Sequence, residues 1–397
     1  MSLGSKALQV TLLTLFFVAS TVDATEKRVF NVVDFGAIPD EKTDNAQAFV
    51  AAWKEACATE VRSKVLVPQG TYLVGPVDFS GPCKGSMVFQ VKGRVVAPTD
   101  LSAFPSSSWI SFNHIDGLVV AGRGRFDGRG ASAWPYNQCP KKFDCKLLPT
   151  SLSFNFVTNA LVRGISSVDS KFFHIIVFTS DNIKFHSIRI SAPGNSPNTD
   201  GIHIGSSSNI EILESAIATG DDCISLGEGV ANVTISKVFC GPGHGISVGS
   251  LGRYQHQQDV VGVTVRNCTL TGTSNGVRIK TWMDSFVLSV RGLVFDDLVM
   301  TDVYNPIIID QEYCPYISCD RQAPSRVKIS EVKFRNIRGV SASKVAVKLQ
   351  CSEGAPCEGV ELGNINLQYS GDDAPATSSC SNVVGTTLGS VVPASCL

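Results

Sequence analysis

The chain has 397 residues, 43% of them hydrophobic and only 17% charged, with a formal net charge of -1. That balance leaves no global field to attract nucleic acid or an anionic membrane, so any affinity for a charged polymer has to come from a local patch. Low charge together with 35 glycines suits an all-β chain with many turns.

The N-terminus reads as a secretory signal. Lys6 supplies the positive start, and Leu8 to Ser20 is a 13-residue apolar stretch, too short to span a bilayer comfortably. Val22-Asp23-Ala24 is an acceptable cleavage site, which predicts a signal over residues 1–24 and a mature, secreted chain over 25–397. Residues 29–37 form an extended lead-in. Thr43 to Cys57 reads as a helix with Thr43 as N-cap and one apolar stripe through Ala46, Phe49, Val50, Trp53 and Cys57. Such a helix is placed to cap the first coil of a solenoid.

From Val65 onward, short β-branched runs recur between turn residues. Units open at Asn182, Asn209, Asn232, Gly262 and Gly292, at steps of 27, 23, 30 and 30 residues, with further units near Val332 and Val360. Each unit is too small to bury its own apolar face, so the units must stack. Parallel strands joined by crossovers wind right-handed. The expected fold is a single-stranded right-handed parallel β-helix of about ten coils with a short N-terminal capping helix. An antiparallel sandwich would need several two-residue hairpin turns, and Asn275-Gly276 is the only Asn-Gly in the chain. Ser250 to Val260 reads as a loop beside a cleft, and the segment after Tyr369 as a polar tail.

Thirteen cysteines in a secreted chain imply disulfides and an odd thiol. Local pairing suggests Cys57–Cys83, Cys139–Cys145, Cys223–Cys240, Cys314–Cys319, Cys351–Cys357 and Cys380–Cys396, with Cys268 left over. Asn232-Val-Thr234 and Asn267-Cys-Thr269 are sequons, available for glycosylation if the chain enters the secretory pathway. There is no Cys-x-x-Cys pair, and no metal or other cofactor is expected.

The chemistry is carried by a ruler. Asp200, Asp222 and His244 are separated by 22 and again 22 residues, which on adjacent rungs places them ~4.8 Å apart. Asp221 is the neighbour of Asp222, and both can face one cleft only if the backbone turns there, as Gly220 allows. Carboxylates so clustered do not all ionise at their ordinary pKa: one is pushed up and can donate a proton, while its neighbours activate water. In Arg278-Ile279-Lys280 alternation points both cations outward together, able to grip a substrate carboxylate. The other histidines, His203 among them, read as ordinary structural imidazoles.

Four motifs stand in order: Ser196-Pro-Asn-Thr-Asp-Gly201, Gly220-Asp-Asp-Cys-Ile-Ser225, Gly243-His-Gly-Ile-Ser-Val-Gly249 and Arg278-Ile-Lys280. With them the chain resembles the polygalacturonases, glycoside hydrolase family 28. Asp34-Phe-Gly-Ala and the stretch Asn305 to Cys314 are similar to the plant branch, in particular to pollen-type exopolygalacturonases. The resemblance implies hydrolysis of α-1,4-galacturonan (pectin, polygalacturonate) with inversion, exo-acting and in the cell wall. It implies Asp221 as general acid, Asp200 and Asp222 as the water-holding pair, and His244 as support for the proton balance. Asn198 would help set the site, and Arg278 and Lys280 would bind the galacturonate carboxylate. Fungal members have a Tyr where this chain has Asn305, which leaves that aromatic contact, and any part for Tyr313, open. An acid and a base carboxyl about 6.5–9.5 Å apart are expected for inversion. Endo action, a rhamnogalacturonan hydrolase, a lyase on a similar β-helix and a non-catalytic pectin-binding β-helix are the alternatives. A monomer is expected.

Overall fold

The computed structural model describes residues 28–142, 144–316 and 323–397. The expected signal over 1–24 lies outside them, as does Cys319 of the expected Cys314–Cys319 pair. The units deduced from the sequence stack in parallel. Ile183 pairs with Ile210, Ile210 with Val233, Val233 with Val263, Val263 with Leu293, Leu293 with Val332 and Val332 with Val360. All seven are at most 1% exposed. The same position, filled by Ile, Val or Leu coil after coil, forms one continuous apolar column, and each buried aliphatic contributes ~1.5–3 kcal/mol. The result is a right-handed parallel β-helix.

One face is an 11-stranded parallel sheet running from Val77–Ser80 to Thr377–Ser381. The other two faces belong to a 21-stranded sheet. In the first half these faces carry separate short strands, such as Ser208–Leu213 and Ala216–Ala218. From Val260–Thr271 onward the two runs fuse into single bent strands, so that Val260–Thr271 pairs with both Ala231–Ser236 and Phe239–Cys240.

The Asn that opens each unit sits in left-handed backbone, with φ of 54°, 55° and 54° at Asn182, Asn209 and Asn232, and Gly262 and Gly292 take the same place at 71° and 69°. Asn tolerates this conformation better than other residues with a side chain. Its amide also links coils: Asn182 Nδ2 donates to Asn159 Oδ1 at 2.7 Å, and Asn232 Nδ2 to Asn209 Oδ1 at 2.5 Å.

The capping helix spans Ala46–Cys57, with Asn45 rather than Thr43 at its N-cap. Thr43 is instead held by Asp40, whose Oδ1 accepts from its backbone N–H at 2.8 Å. The buried stripe is rotated toward Ala48, Phe49, Ala52, Trp53 and Ala56, with Ala46, Val50 and Cys57 at its edge. Trp53 closes the first coil by packing on Phe79, ring centroids 4.9 Å apart.

The segment after Tyr369 is not a loose tail. Thr377–Ser381 and Val383–Val392 add the last rung, pairing with Val345–Gln350 and Cys357–Tyr369. The residues of this rung are mostly exposed or half-buried. Disulfides join Cys57–Cys83, Cys139–Cys145, Cys223–Cys240, Cys351–Cys357 and Cys380–Cys396, and Cys268 is free and buried. The sequon residues Asn232 and Asn267 are both exposed.

Candidate active site

The 11-stranded face carries the site. Strands Ile202–Gly205, Ile224–Leu226, Ile246–Leu251 and Asn275–Trp282 are consecutive, with Ile202, Ile224, Ile246 and Val277 in register and pointing into the core. Asp200, Asp222 and His244 each stand two residues before that register, so the 22-residue ruler holds for the backbone. The carboxylates therefore occupy the turns at the leading margin of the sheet, while Arg278 and Lys280 rise from its surface.

Buried hydroxyls tie these turns together. Thr199 Oγ1 accepts from Thr219 Oγ1 at 2.7 Å and from the Gly220 N–H at 3.1 Å. Gly220 is needed for space, not for unusual torsions: a Cβ there would come within 2.0 Å of the Ser196 carbonyl oxygen. The Cys223–Cys240 disulfide anchors the Asp221-Asp222 turn from behind.

The three carboxyls have different surroundings. Asp222 is 1% exposed. Its Oδ1 accepts from Ser247 Oγ at 2.7 Å and Arg278 Nη2 at 2.9 Å, and its Oδ2 from Lys280 Nζ at 2.7 Å. Burial works to raise its pKa, but the charges of Lys280 and Arg278 together with these bonds prevail and hold it down at about 2. Asp200 is 6% exposed, and its Oδ2 accepts from Ser225 Oγ at 2.8 Å. Burial, then the charges of Asp221 and Asp222, push its pKa well above the ordinary carboxylate range. Asp221 has the most accessible side chain of the three, at 19%. Its Oδ1 lies 2.9 Å from His244 Nδ1 and accepts from the Asp222 N–H at 2.8 Å, and its Oδ2 accepts from Asn198 Nδ2 at 3.4 Å. For His244, burial pulls the ring down, but the bond to Asp221 and the charges of Asp221 and Asp222 outweigh it, and its pKa is raised.

Asp221, Asp222 and His244 offer ligand atoms all within 4.8 Å of one another. A cation there would compete with Arg278 and Lys280, which already engage both oxygens of Asp222.

The expected residues Asn198, Asp200, Asp221, Asp222, His244, Arg278 and Lys280 come together in one cluster. Asn305 does not join it; its Nδ2 donates to Asn275 Oδ1 at 3.1 Å, a coil-to-coil link. Tyr313 does lie beside it, with Lys280 Nζ 5.4 Å from its ring centroid. Ser225, Ser247, His203 and Asn137 were not foreseen. Three of them repeat the ruler, since 203, 225 and 247 are again 22 residues apart and in register. Asn137 is buried, and its Nδ2 donates to Asn198 Oδ1 at 3.1 Å.

Asn137 belongs to the long connection leading into Thr150–Asn155, at the leading margin of the sheet. Tyr316 follows Asn305–Tyr313 at the trailing margin, six rungs further along. The Tyr316 hydroxyl donates to the Cys139 carbonyl at 3.2 Å, so segments from opposite banks meet across the sheet. Ser250–Val260 contributes Arg253, stacked 4.3 Å over the Trp282 ring.

Comparison with known proteins agrees with this geometry. The pattern of Glycosyl hydrolases family 28 matches residues 57–396. The chain is 53% identical over 367 residues to an exopolygalacturonase of Platanus acerifolia, covering 92% of this chain and 97% of that one. It is 47% identical over 386 residues to a polygalacturonase of Gossypium barbadense, covering 97% and 94%. Among solved structures, the endo-xylogalacturonan hydrolase of Aspergillus tubingensis has the same fold, with a TM-score of 0.78 at 23% identity over 91% of this chain and 99% of the other. The matched pattern, the identity along nearly the whole length and the carboxylate cluster on a β-helix converge: the chain belongs to glycosyl hydrolases family 28.

Proposed function

We propose that the protein hydrolyses the α-1,4-galacturonosyl bonds of polygalacturonate (pectin) from a chain end, with inversion. The observation that carries the reading is the pairing of two largely buried cations, Arg278 and Lys280, with Asp222 in a cluster that also holds Asp200 and Asp221. Two cations at the cleaved sugar suit a uronate better than a neutral rhamnose. The plant relative above is named an exopolygalacturonase, and the contact between Tyr316 and Cys139 across the sheet supports chain-end action, because a bridged cleft hinders binding in mid-chain.

In this account Asp221, the most accessible carboxyl, gives its proton to the glycosidic oxygen as the C–O bond breaks. A water attacks the anomeric carbon from the opposite side and yields its proton to Asp200. Asp222 stays charged and orients that water. Asp222 has both oxygens engaged by Ser247, Arg278 and Lys280, so it does not suit nucleophilic attack on the sugar; this supports a single displacement. One turnover leaves Asp200 protonated and Asp221 ionised, and Asp200 is the carboxyl that the free site pushes up. Asp221 is then reprotonated beside His244 for the next cycle. Asn198 and Asn137 hold Asp221 in place, and Arg278 and Lys280 receive the substrate carboxylate.

Secretion to the cell wall, a single catalytic domain over 25–397, glycosylation at Asn232 and Asn267 and a monomeric state belong to the same reading. Among the described residues no helix is long and apolar enough to cross a membrane. Chromatography of products from polygalacturonate over time tests the activity. Saturated monogalacturonate from the earliest points is expected. Early mixed oligomers would make the enzyme endo-acting, and unsaturated, ultraviolet-absorbing products would make it a lyase.

A further inference from the structure

Two serines on adjacent rungs each hold one carboxyl, and each is itself held by a nitrogen donor. On the Asp222 side, Arg278 Nε donates to Ser247 Oγ at 3.1 Å and Ser247 Oγ donates to Asp222 at 2.7 Å. On the Asp200 side, His203 Nδ1 lies 2.8 Å from Ser225 Oγ, and Ser225 Oγ donates to Asp200 at 2.8 Å. A hydroxyl has one proton, so while Ser225 donates to Asp200 it must accept from His203, which fixes the proton on Nδ1. The histidine is half-buried and stacked on Phe173, ring centroids 5.0 Å apart. Burial and the nearby Lys280 charge, partly opposed by Asp222, hold its pKa down at about 4, so it is neutral at ordinary pH.

The two chains differ in one respect. Arginine has no acceptor, so Arg278–Ser247–Asp222 runs in one direction only and serves only a charged carboxylate. A neutral imidazole and a hydroxyl can both reverse.

We propose that His203 and Ser225 form a reversible hydrogen-bond relay that positions Asp200 in both of its protonation states, which makes His203 a positioning residue for the water-activating carboxylate. This rests on the reading of Asp200 given above. When Asp200 is protonated, it donates to Ser225, Ser225 donates to Nδ1, and the ring carries its proton on Nε2. When Asp200 ionises, its proton passes to Ser225 Oγ, the Ser225 proton passes to Nδ1, and the Nε2 proton leaves to solvent. One proton departs, and both 2.8 Å contacts of Ser225 Oγ, to Nδ1 and to Asp200, are kept. Gly227 borders the Nε2 edge of the ring, where an added Cβ would lie 3.5 Å from Nε2. The charged groups acting on Asp200 are Asp221, Asp222 and Lys280, and those acting on His203 are Lys280 and Asp222.

The test reads the imidazole directly. In the wild-type protein with 15N-labelled histidine, NMR across the acid limb of kcat/KM should show His203 changing from Nε2–H at low pH to Nδ1–H at higher pH, at the midpoint of that limb. One unchanging tautomer throughout would overturn the relay. Ser225→Ala and His203→Phe, which keeps a ring on Phe173, should each move the acid limb upward by roughly one pH unit, and the double variant no further than either alone. An unmoved limb in two folded variants would equally overturn it. Ser247→Ala should leave the limb in place whatever it does to kcat. If the wild-type protein releases no galacturonate yet His203 changes tautomer, the relay stands and the hydrolase reading fails.

Discussion

Asp200 and Asp222 occupy equivalent positions one rung apart, both nearly sealed from water and both held by a serine, yet their environments drive them in opposite directions. Asp222 sits under two cations and is locked in its charged form. Asp200 meets a neutral imidazole chain and two neighbouring negative charges, so its charged form is disfavoured. The repeat supplies equivalent backbone positions, and the side chains on the next one or two rungs decide what each carboxyl can do. A solenoid can thus differentiate an anchor from a titrating base by changing only the partners stacked on them.

The sharpest break of this comparison is to neutralise each carboxyl. Asp222→Asn leaves Arg278 and Lys280 buried without a counter-charge. We expect a loss of about 3–5 kcal/mol of stability, with kcat falling by about 10²–10⁴-fold. Asp200→Asn should lose activity similarly but raise Tm at pH 7, because it removes a buried charge that the fold disfavours. Thermal unfolding of the pair decides it, and shifts of the same sign would refute the distinction. Asp221→Asn should lose about 10²–10⁴ in kcat with folding and substrate binding retained, checked by turnover and by polygalacturonate binding. Normal turnover by that variant would remove it as the acid.

Acid sharpens the contrast. The native pKa of Asp222 lies below its unfolded value of about 3.9, so its stabilisation is complete above that value and is lost as pH falls through about 2. Asp200 has the reverse sign: its native pKa is raised, so it destabilises at neutral pH, and that burden fades as pH falls through the native value. The Tm gain of Asp200→Asn should therefore vanish on acidification before the loss of Asp222→Asn does. A smaller effect is expected from Lys280→Ala, with KM for polygalacturonate rising about tenfold or more; an unchanged KM would take Lys280 out of the substrate site. The smallest should come from Tyr316→Phe, which removes the hydroxyl bonded to Cys139. A few-fold rise in oligomers among early products, with Tm unchanged, is expected by chromatography.

Much of this was legible in the chain. Asn182, Asn209 and Asn232 mark one left-handed turn per coil, and their spacing set the register correctly. The ruler through Asp200, Asp222 and His244 picked out residues that the fold brings together, because stacking converts a sequence period into proximity. The same ruler through His203, Ser225 and Ser247 went unread, since serine and a lone histidine are common structural residues and only their bonds mark them out. Thr43 is a good cap by type, but its N–H and hydroxyl donate to Asp40, and the helix starts after Asn45 instead. The contact between Cys139 and Tyr316 joins residues 177 apart from two irregular connections, for which local sequence carries no period. Which carboxyl would be pushed up depended on partners brought in from neighbouring rungs, so alternation and spacing alone could not rank Asp200 against its neighbours.

The account stands most directly on the stereochemistry of the first turnovers. Proton NMR of a galacturonan oligomer mixed with the purified protein follows the anomer released before mutarotation. Water attacking between Asp200 and Asp222 in a single displacement predicts that β-galacturonate appears first. The α-anomer appearing first would show a covalent intermediate on a carboxylate and contradict the water-activating roles assigned to Asp200 and Asp222.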